Sequence, residues 1–382
     1  MVNPRPANPG TDPNDAEGFA DRTTHGMVRG RGAQLNPPNR FEPVSLHVLP
    51  EAMEEVAIEH PDGVGVATRV LRDRSKSVIN PVESPDLNFS WTLNPYRGCE
   101  HGCVYCYARP THETFGLSCG LDFETRLFAK TDAPALLERE LARPSWRGEP
   151  IMMSGITDPY QPVERSLRIT RGCLEVMARC RQPVGIVTKN ALVSRDADLL
   201  GELAKHDAAS VCVSVTTLDN RLAHTMEPRA SSPRERLDAI GALARAGVQV
   251  TVMVAPMIPA INDHEMPAIM KAAKEAGATA AAYTLLRLPY QIKDLYLDWL
   301  SREFPDRAAK AENQLREARG GELYQPKWFE RHRGTGPRAE QIRQTFTVFK
   351  RTLGLERARA GQNSGAFLRP EVRNDPEQMR LF

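Results

Sequence analysis

Val248-Gln-Val-Thr-Val-Met-Val254, an amphipathic stretch from His264 to Ala276 closed by Gly277, and Ala280-Ala-Ala-Tyr-Thr-Leu-Leu286 follow one another in a single piece of chain. A β-branched run, then apolar positions at helical spacing, then a second apolar run reads as strand, helix, strand, with Ala-Gly suited to a helix C-cap. The same unit recurs upstream. Ser210-Val-Cys-Val-Ser-Val215 precedes a helical pattern from Pro233 to Ala246, Gly185-Ile-Val-Thr188 precedes Asp196 to His206, and Ile151-Met-Met-Ser154 precedes Arg165 to Arg181. The repeat predicts parallel strands joined by crossover helices, either as a doubly wound sheet or as a complete or partial (β/α) barrel. In both, polar residues just after a strand belong to the functional face. Here those residues are Thr157-Asp158-Pro-Tyr160, Thr188-Lys189-Asn190, Thr216-Thr217 and the stretch Pro256 to Asp263. Any one of them reads as capping or turn chemistry; four in succession point to a shared site.

The rest of the chain sets bounds. Its 382 residues, with 41% hydrophobic and 26% charged, suit a soluble globular protein of one large domain or two modest ones. Fifty Lys and Arg against 48 Asp and Glu exclude a histone-like basic protein, so any contact with nucleic acid needs a local concentration of charge. No 18-residue apolar run and no apolar secretory region after Met1 are present, which predicts a cytoplasmic protein without membrane partners. Seven cysteines in a reducing compartment are not expected to form a disulfide framework, and three of them crowd between positions 99 and 106. The Pro- and Gly-rich text of residues 1–85 reads as a partly disordered extension or one lying over the surface, residues 86–300 as the βα core, and residues 301–382 as a helical, basic C-terminal region.

The crowded segment is Asn94-Pro-Tyr-Arg-Gly-Cys99-Glu-His-Gly-Cys103-Val-Tyr105-Cys106-Tyr107-Ala-Arg-Pro110, a C-x3-C-x2-C array. Three thiolates in one loop are soft ligands for zinc or iron–sulfur. A closed zinc site needs a fourth ligand, with His101 and His112 the local candidates. A cluster held by three cysteines leaves one iron open to a substrate or cofactor.

Such a loop opening a βα-repeat domain resembles the signature of radical S-adenosylmethionine enzymes. The Tyr-Cys-Tyr around the third cysteine, Thr157-Asp-Pro-Tyr-Gln-Pro-Val-Glu164, Thr188-Lys189-Asn190 and Glu227-Pro-Arg229 resemble the branch related to spore photoproduct lyase. The resemblance implies a partial (β/α)6 TIM-like barrel. It implies a 4Fe-4S cluster on Cys99, Cys103 and Cys106 whose fourth iron chelates S-adenosylmethionine. Reductive cleavage of that cofactor, fed by a donor such as flavodoxin or ferredoxin, would give a 5′-deoxyadenosyl radical that abstracts hydrogen from substrate. By similarity, the turn carrying Gly155, Thr157 and Asp158 receives the methionine amino group. Lys189 and Arg229 are cationic candidates for its carboxylate, with Glu227 able to pair with Arg229 instead. Ser214 and Thr216 are placed for the ribose hydroxyls, and Val254 to Ile258 for the adenine.

Tyr105 and Tyr107 occupy positions that the lyase associates with hydrogen-atom relay; the plainer reading is shielding of a cluster. The lyase also uses a separate hydrogen-donor cysteine; of Cys119, Cys173, Cys180 and Cys212 none lies in a recognisable donor motif, and Cys173 and Cys180 read as buried small apolar residues. Two features favour DNA as a partner. From Arg331 to Arg351 six Lys and Arg face one acid, with Trp328, Phe329, Phe346 and Phe349 nearby; the plainer reading is a solvated helix. The tail Gln378-Met379-Arg380-Leu381-Phe382 resembles peptides that dock on the replicative sliding clamp, behind a polar, Pro-containing tether. The expected activity is hydrogen abstraction from a DNA lesion. The alternatives are a radical enzyme modifying a peptide, protein or small metabolite, and a zinc-stapled interaction protein.

Overall fold

The computed structural model describes residues 28–41, 65–356 and 363–371. The clamp-like tail Gln378 to Phe382 and most of the N-terminal extension lie outside them. Ten strands are described: β1 (Arg69–Arg72), β2 (Ile79–Pro81), β3 (Trp91–Leu93), β4 (Tyr96–Arg97), β5 (Arg126–Ala129), β6 (Ile151–Met153), β7 (Val184–Thr188), β8 (Ala209–Ser214), β9 (Gln249–Met257) and β10 (Ala280–Leu285).

Seven of them form one sheet in the order β10-β9-β8-β7-β6-β3-β2, parallel throughout except where β2 runs against β3. The six parallel strands lie side by side in the order in which the chain makes them. A doubly wound sheet must reverse that order at a switch point. With no reversal, right-handed crossovers put every connecting helix on the same side, and the sheet curls into a partial (β/α)6 barrel with its edges at β2 and β10.

The two faces of the strands bear this out. Ile151, Met153, Val184, Ile186, Val211, Val213, Val250 and Val252 are buried against the outer helices. Their neighbours Met152, Val187, Cys212, Thr251 and Met253, which point the other way, are only partly buried. One face is a packed core and the other lines an open trough. The outer layer includes the helices Ile169–Cys180, Ala197–Ala204, Pro233–Arg245 and Met266–Ala276, with Ala133–Leu141 packed on the first of them. The helix Pro233–Arg245 opens with a complete capping box, Ser232 and Glu235 bonding each other's backbone.

Two features were not visible in the repeat. β3 is only three residues long, yet it starts the parallel series and delivers the chain directly into the cysteine segment. A small second sheet, β1-β5-β4, braces that segment from outside. Cys173 and Cys180 are buried within the helix Ile169–Cys180, as their spacing suggested.

The C-terminal region returns to the barrel. The helix Gly336–Thr352 packs on β10 and on the helix Met266–Ala276, burying Phe346 against Tyr283 with ring centroids 4.6 Å apart. Just before it, the His332 carbonyl accepts from the Leu285 amide at the end of β10 (2.8 Å). Burial first, then the nearby Arg287 charge, pushes the His332 ring from its ordinary 6.5 down to about 4. A ring neutral in the fold but protonated when unfolded makes stability rise with pH across that interval. Denaturant midpoints should fall as pH is lowered from about 6.5 to about 4, and less steeply in His332→Gln. Parallel pH profiles for the two proteins would show that other groups set the slope.

Candidate active site

The cysteine segment leaves β3 and is held by its own backbone geometry. Gly98 and Gly102 have φ of +76° and +67°, and a Cβ at either would lie 2.9 Å from the Phe123 carbonyl oxygen and 2.7 Å from a Glu124 carboxylate oxygen respectively. Only glycine satisfies both the left-handed turn and the close approach. The Cys99 amide donates to the Phe123 carbonyl (2.9 Å).

Arg109, with no solvent exposure, ties the segment together. Its Nε donates to the Cys103 carbonyl (2.9 Å), one terminal nitrogen to the carbonyls of Cys119 and Gly120 (3.2 and 2.9 Å), and the other to Glu124 (2.5 Å). The Glu124 carboxylate in turn accepts from the backbone amides of Gly32 and Ala33 (3.0 and 2.8 Å). Part of the expected loose extension is therefore a buried strap on the cysteine segment, with Ala33 and Leu35 packed in one cluster with Cys103, Val104 and Tyr105.

The turn after β6 grips the segment from the other side. Thr157 Oγ1 donates to the Gly98 carbonyl (2.6 Å), and Gln161, fully buried, donates to that carbonyl (3.2 Å) and accepts from the Glu100 amide (2.9 Å). Asp158 accepts from the Thr188 hydroxyl (2.7 Å) and the Lys189 amide (2.8 Å), and lies 3.3 Å from His101 Nδ1. These contacts outweigh the burial that opposes its charge and hold the carboxyl below its usual range.

Cys99, Cys103, Cys106, Tyr105, Tyr107, Gly155, Thr157, Asp158 and Lys189 line one cavity of about 150 Å³ at the C-terminal ends of β3, β6 and β7. Burial raises all three thiols, and Lys189 pulls Cys103 and Cys106 back. The sequence-based set therefore divides. Ser214, Thr216, Glu227 and Arg229 stand behind this lining. Lys189 Nζ donates to Ser214 (2.9 Å), and Thr216 donates to Glu227 (2.7 Å). The Tyr105 hydroxyl donates to Glu227, which also pairs with Arg236. Burial raises Glu227 above its ordinary range, with Arg236 opposing. Glu227 and Arg229 do not pair with each other; Arg229 meets Glu100 at 3.2 Å. A larger hollow of about 460 Å³, lined by no cysteine, lies between the helix Ala197–Ala204 and Ala246–Gly247.

The donor set has a definite chemistry. His101 is engaged through both ring nitrogens, by Asp158 and by Asn190 (3.1 Å). His112 bonds the Arg126 carbonyl (2.8 Å) and packs among Phe123 and Phe128. His101 thus has both nitrogens engaged, and His112, whose buried Nδ1 has no hydrogen-bond partner, is not among the residues that line the cavity; among the described residues no three His, Cys, Asp or Glu donors are drawn together to hold one ion. Three thiols spread around one cavity suit a multi-iron cluster, which takes one thiolate per iron and keeps one iron open. Reasoning from sequence missed Gln161, Arg109, Glu124 and Arg236. The first two lie inside quoted motifs; Glu124 and Arg236 carry no local signal, because only the fold decides which partners they meet.

The family profile described as the radical SAM superfamily matches residues 93–273. An uncharacterized protein of Mycobacterium tuberculosis is 37% identical over 234 residues, covering 60% of this chain and 69% of that protein. An uncharacterized protein of Methanocaldococcus jannaschii is 28% identical over 196 residues, covering 51% of this chain and 70% of that protein. Among solved structures, a spore photoproduct lyase variant with bound AdoMet and dinucleoside spore photoproduct superposes with a TM-score of 0.52 at 15% identity, covering 83% of this chain and 86% of that one. This last likeness is one of fold.

Proposed function

The chain belongs to the radical SAM superfamily, and on that footing we propose that its substrate is a lesion in DNA. As a member it is an enzyme whose cofactors are a 4Fe-4S cluster and S-adenosylmethionine. When bound, these supply reductive cleavage of S-adenosylmethionine and abstraction of hydrogen from a substrate.

In this reading Cys99, Cys103 and Cys106 hold the cluster, and Arg109 fixes the loop that presents them. The turn at Gly155 and Thr157 receives the methionine amino group. Asp158 acts by orienting that turn and His101, because its own oxygens are already bonded within the protein. Lys189 and Arg229 offer positive charge to the methionine carboxylate. Ser214, which already donates to the Ala255 carbonyl (2.9 Å), and Thr216, whose one hydroxyl proton is shared between Glu227 (2.7 Å) and that carbonyl (3.1 Å), serve the ribose through their remaining lone pairs. Tyr105 lies inside, hydrogen-bonded to Glu227, a carboxylate able to take the phenol proton if the ring is oxidised. Tyr107 stands at the mouth, where a substrate can touch it.

The observation that carries the proposal is this mouth. A tyrosine flanking a cluster ligand is half exposed there with the Arg287 guanidinium 5.0 Å over its ring, an aromatic face and a cation suited to a base and its phosphate. A fold relative was solved with a dinucleoside lesion bound. A closed zinc site is disfavoured, because His101 is engaged through both ring nitrogens and His112 lies outside the cavity lining. A flavodoxin or ferredoxin would deliver the electron, and the C-terminal tail would dock on the sliding clamp. Among the described residues no helix is long and apolar enough to cross a membrane.

The test is to incubate the anaerobically reconstituted, dithionite-reduced enzyme with ultraviolet-irradiated and untreated DNA. The reading predicts loss of a defined photoproduct, followed by mass spectrometry of the digested DNA, with 5′-deoxyadenosine formed faster on the irradiated sample. Equal 5′-deoxyadenosine on both samples and an unchanged lesion spectrum would reject it.

A further inference from the structure

We propose that the segment Trp328 to Arg333, together with Arg287, is a docking platform for single-stranded or extruded nucleotides beside the mouth of the cysteine cavity. The inference rests on the nucleic-acid reading above and gives it a place and a strand form.

The placement follows from a chain of contacts. Arg319, buried, donates to the carbonyls of Leu285 and Leu286 (3.3 and 2.5 Å) at the end of β10 and to those of Glu330 and Arg331 (3.3 and 2.7 Å). The Leu285 amide bonds the His332 carbonyl. The segment is therefore riveted to the C-terminal end of a barrel strand, where substrates of such barrels bind. Two residues past that strand end stands Arg287, over Tyr107 of the cavity wall.

The platform is held open at a cost. Trp328 and Phe329 keep 44% and 65% of their surface exposed, apolar area that the fold leaves uncovered. Phe329 also has φ of +65°, a conformation that bulky residues avoid and that persists when the surroundings impose it. Asp86 is the imposing group. It accepts from the Phe329 amide (3.3 Å) and pairs bidentately with Arg331 (2.7 and 2.6 Å). Arg331 in turn lies 4.0 Å over the Trp328 ring. Thus Asp86 and Arg331 neutralise one another and position the rings. Two cations remain: Arg287 and Arg333 have no carboxylate within salt-bridge distance among the described residues, and the buried Arg287 Nε has no hydrogen-bond partner. Exposed rings flanked by uncompensated guanidiniums match the stacking platform and charged groove by which proteins hold single strands. A duplex offers its bases only at their edges, and an enzyme that attacks a base inside a helix must bring it out.

The test measures anisotropy of a fluorescein-labelled 20-nucleotide single strand of mixed sequence, and of its duplex, with the full-length reconstituted protein. The wild type should prefer the single strand. Trp328→Ala and Phe329→Ala should each weaken that binding about tenfold, the scale of one lost stacked base. Arg287→Ala and Arg333→Ala should each reduce the slope of log affinity against log salt by about 0.7. Leu71→Ala, an exposed apolar change on β1, should alter neither the binding nor the cleavage of S-adenosylmethionine without DNA. If the wild type binds DNA and the four variants bind it equally well, the platform is wrong and the nucleic-acid reading survives. If the wild type binds neither strand form, the nucleic-acid reading fails and the platform with it.

Discussion

Cys99→Ala, Cys103→Ala and Cys106→Ala are each expected to lower iron retention after reconstitution by at least about a hundredfold, the upper end of what losing even a supporting residue costs a metal site. Formation of 5′-deoxyadenosine should fall to background in all three. The expectation follows from the donor count. His101 is committed to Asp158 and Asn190, and His112, bonded to the Arg126 carbonyl through Nε2, does not line the cavity, so neither stands ready to replace a missing thiolate. Cys173→Ala supplies the contrast. Its thiol is buried within a helix that packs outside the sheet, so it should cost some stability while leaving iron and cleavage intact. Iron loss in Cys173→Ala equal to that in the other three would show that the thiols act through general stability and not as ligands.

The second large effect is at Arg109. Its guanidinium is unexposed and meets the equally unexposed Glu124 carboxylate at 2.5 Å. Removing one partner of a buried pair strands the other's charge, at a cost of about 3–5 kcal/mol. Arg109→Ala should therefore lower the unfolding free energy by about that amount in urea titrations. It should also loosen the strap at Gly32 and Ala33 and the carbonyls of Cys103, Cys119 and Gly120. Arg109→Met with Glu124→Gln, which removes both charges and keeps the volume, should recover much of the loss. If the double variant is as unstable as the single one, the cost lies in the lost carbonyl contacts and not in the stranded carboxylate.

The repeat of β-branched runs and amphipathic stretches disclosed five of the six parallel strands because each carries its own local periodicity. It could not disclose β3, whose Trp91-Thr-Leu93 is too short to show a period and becomes a strand only by pairing with β6 and β2. Nor could it separate a doubly wound sheet from a barrel. That choice depends on the lateral order of strands, and the only partly buried inner residues Met152, Val187, Cys212, Thr251 and Met253 are its consequence.

At the site, the cysteines and the turn around Asp158 were legible because three soft ligands in one loop and polar residues after strands follow from chemistry at close spacing. The partners of Glu227 and Arg229 were not. Arg236 lies close in sequence to both, yet only the fold decides that it pairs with Glu227 while Arg229 reaches Glu100. The aromatics Trp328 and Phe329 were visible as residues near a basic stretch. Their position beside the cavity depends on Arg319, whose bonds to Leu286 and Arg331 join two distant parts of the chain.

The central claim is that the loop of Cys99, Cys103 and Cys106 makes this chain a radical enzyme. The most direct test is anaerobic reconstitution of the wild type, followed by iron and sulfide analysis, dithionite reduction and quantification of 5′-deoxyadenosine. The account predicts a brown protein with about four irons and four sulfides per chain, releasing 5′-deoxyadenosine only when reduced and supplied with S-adenosylmethionine. A colourless protein holding a single zinc and leaving S-adenosylmethionine intact would contradict it.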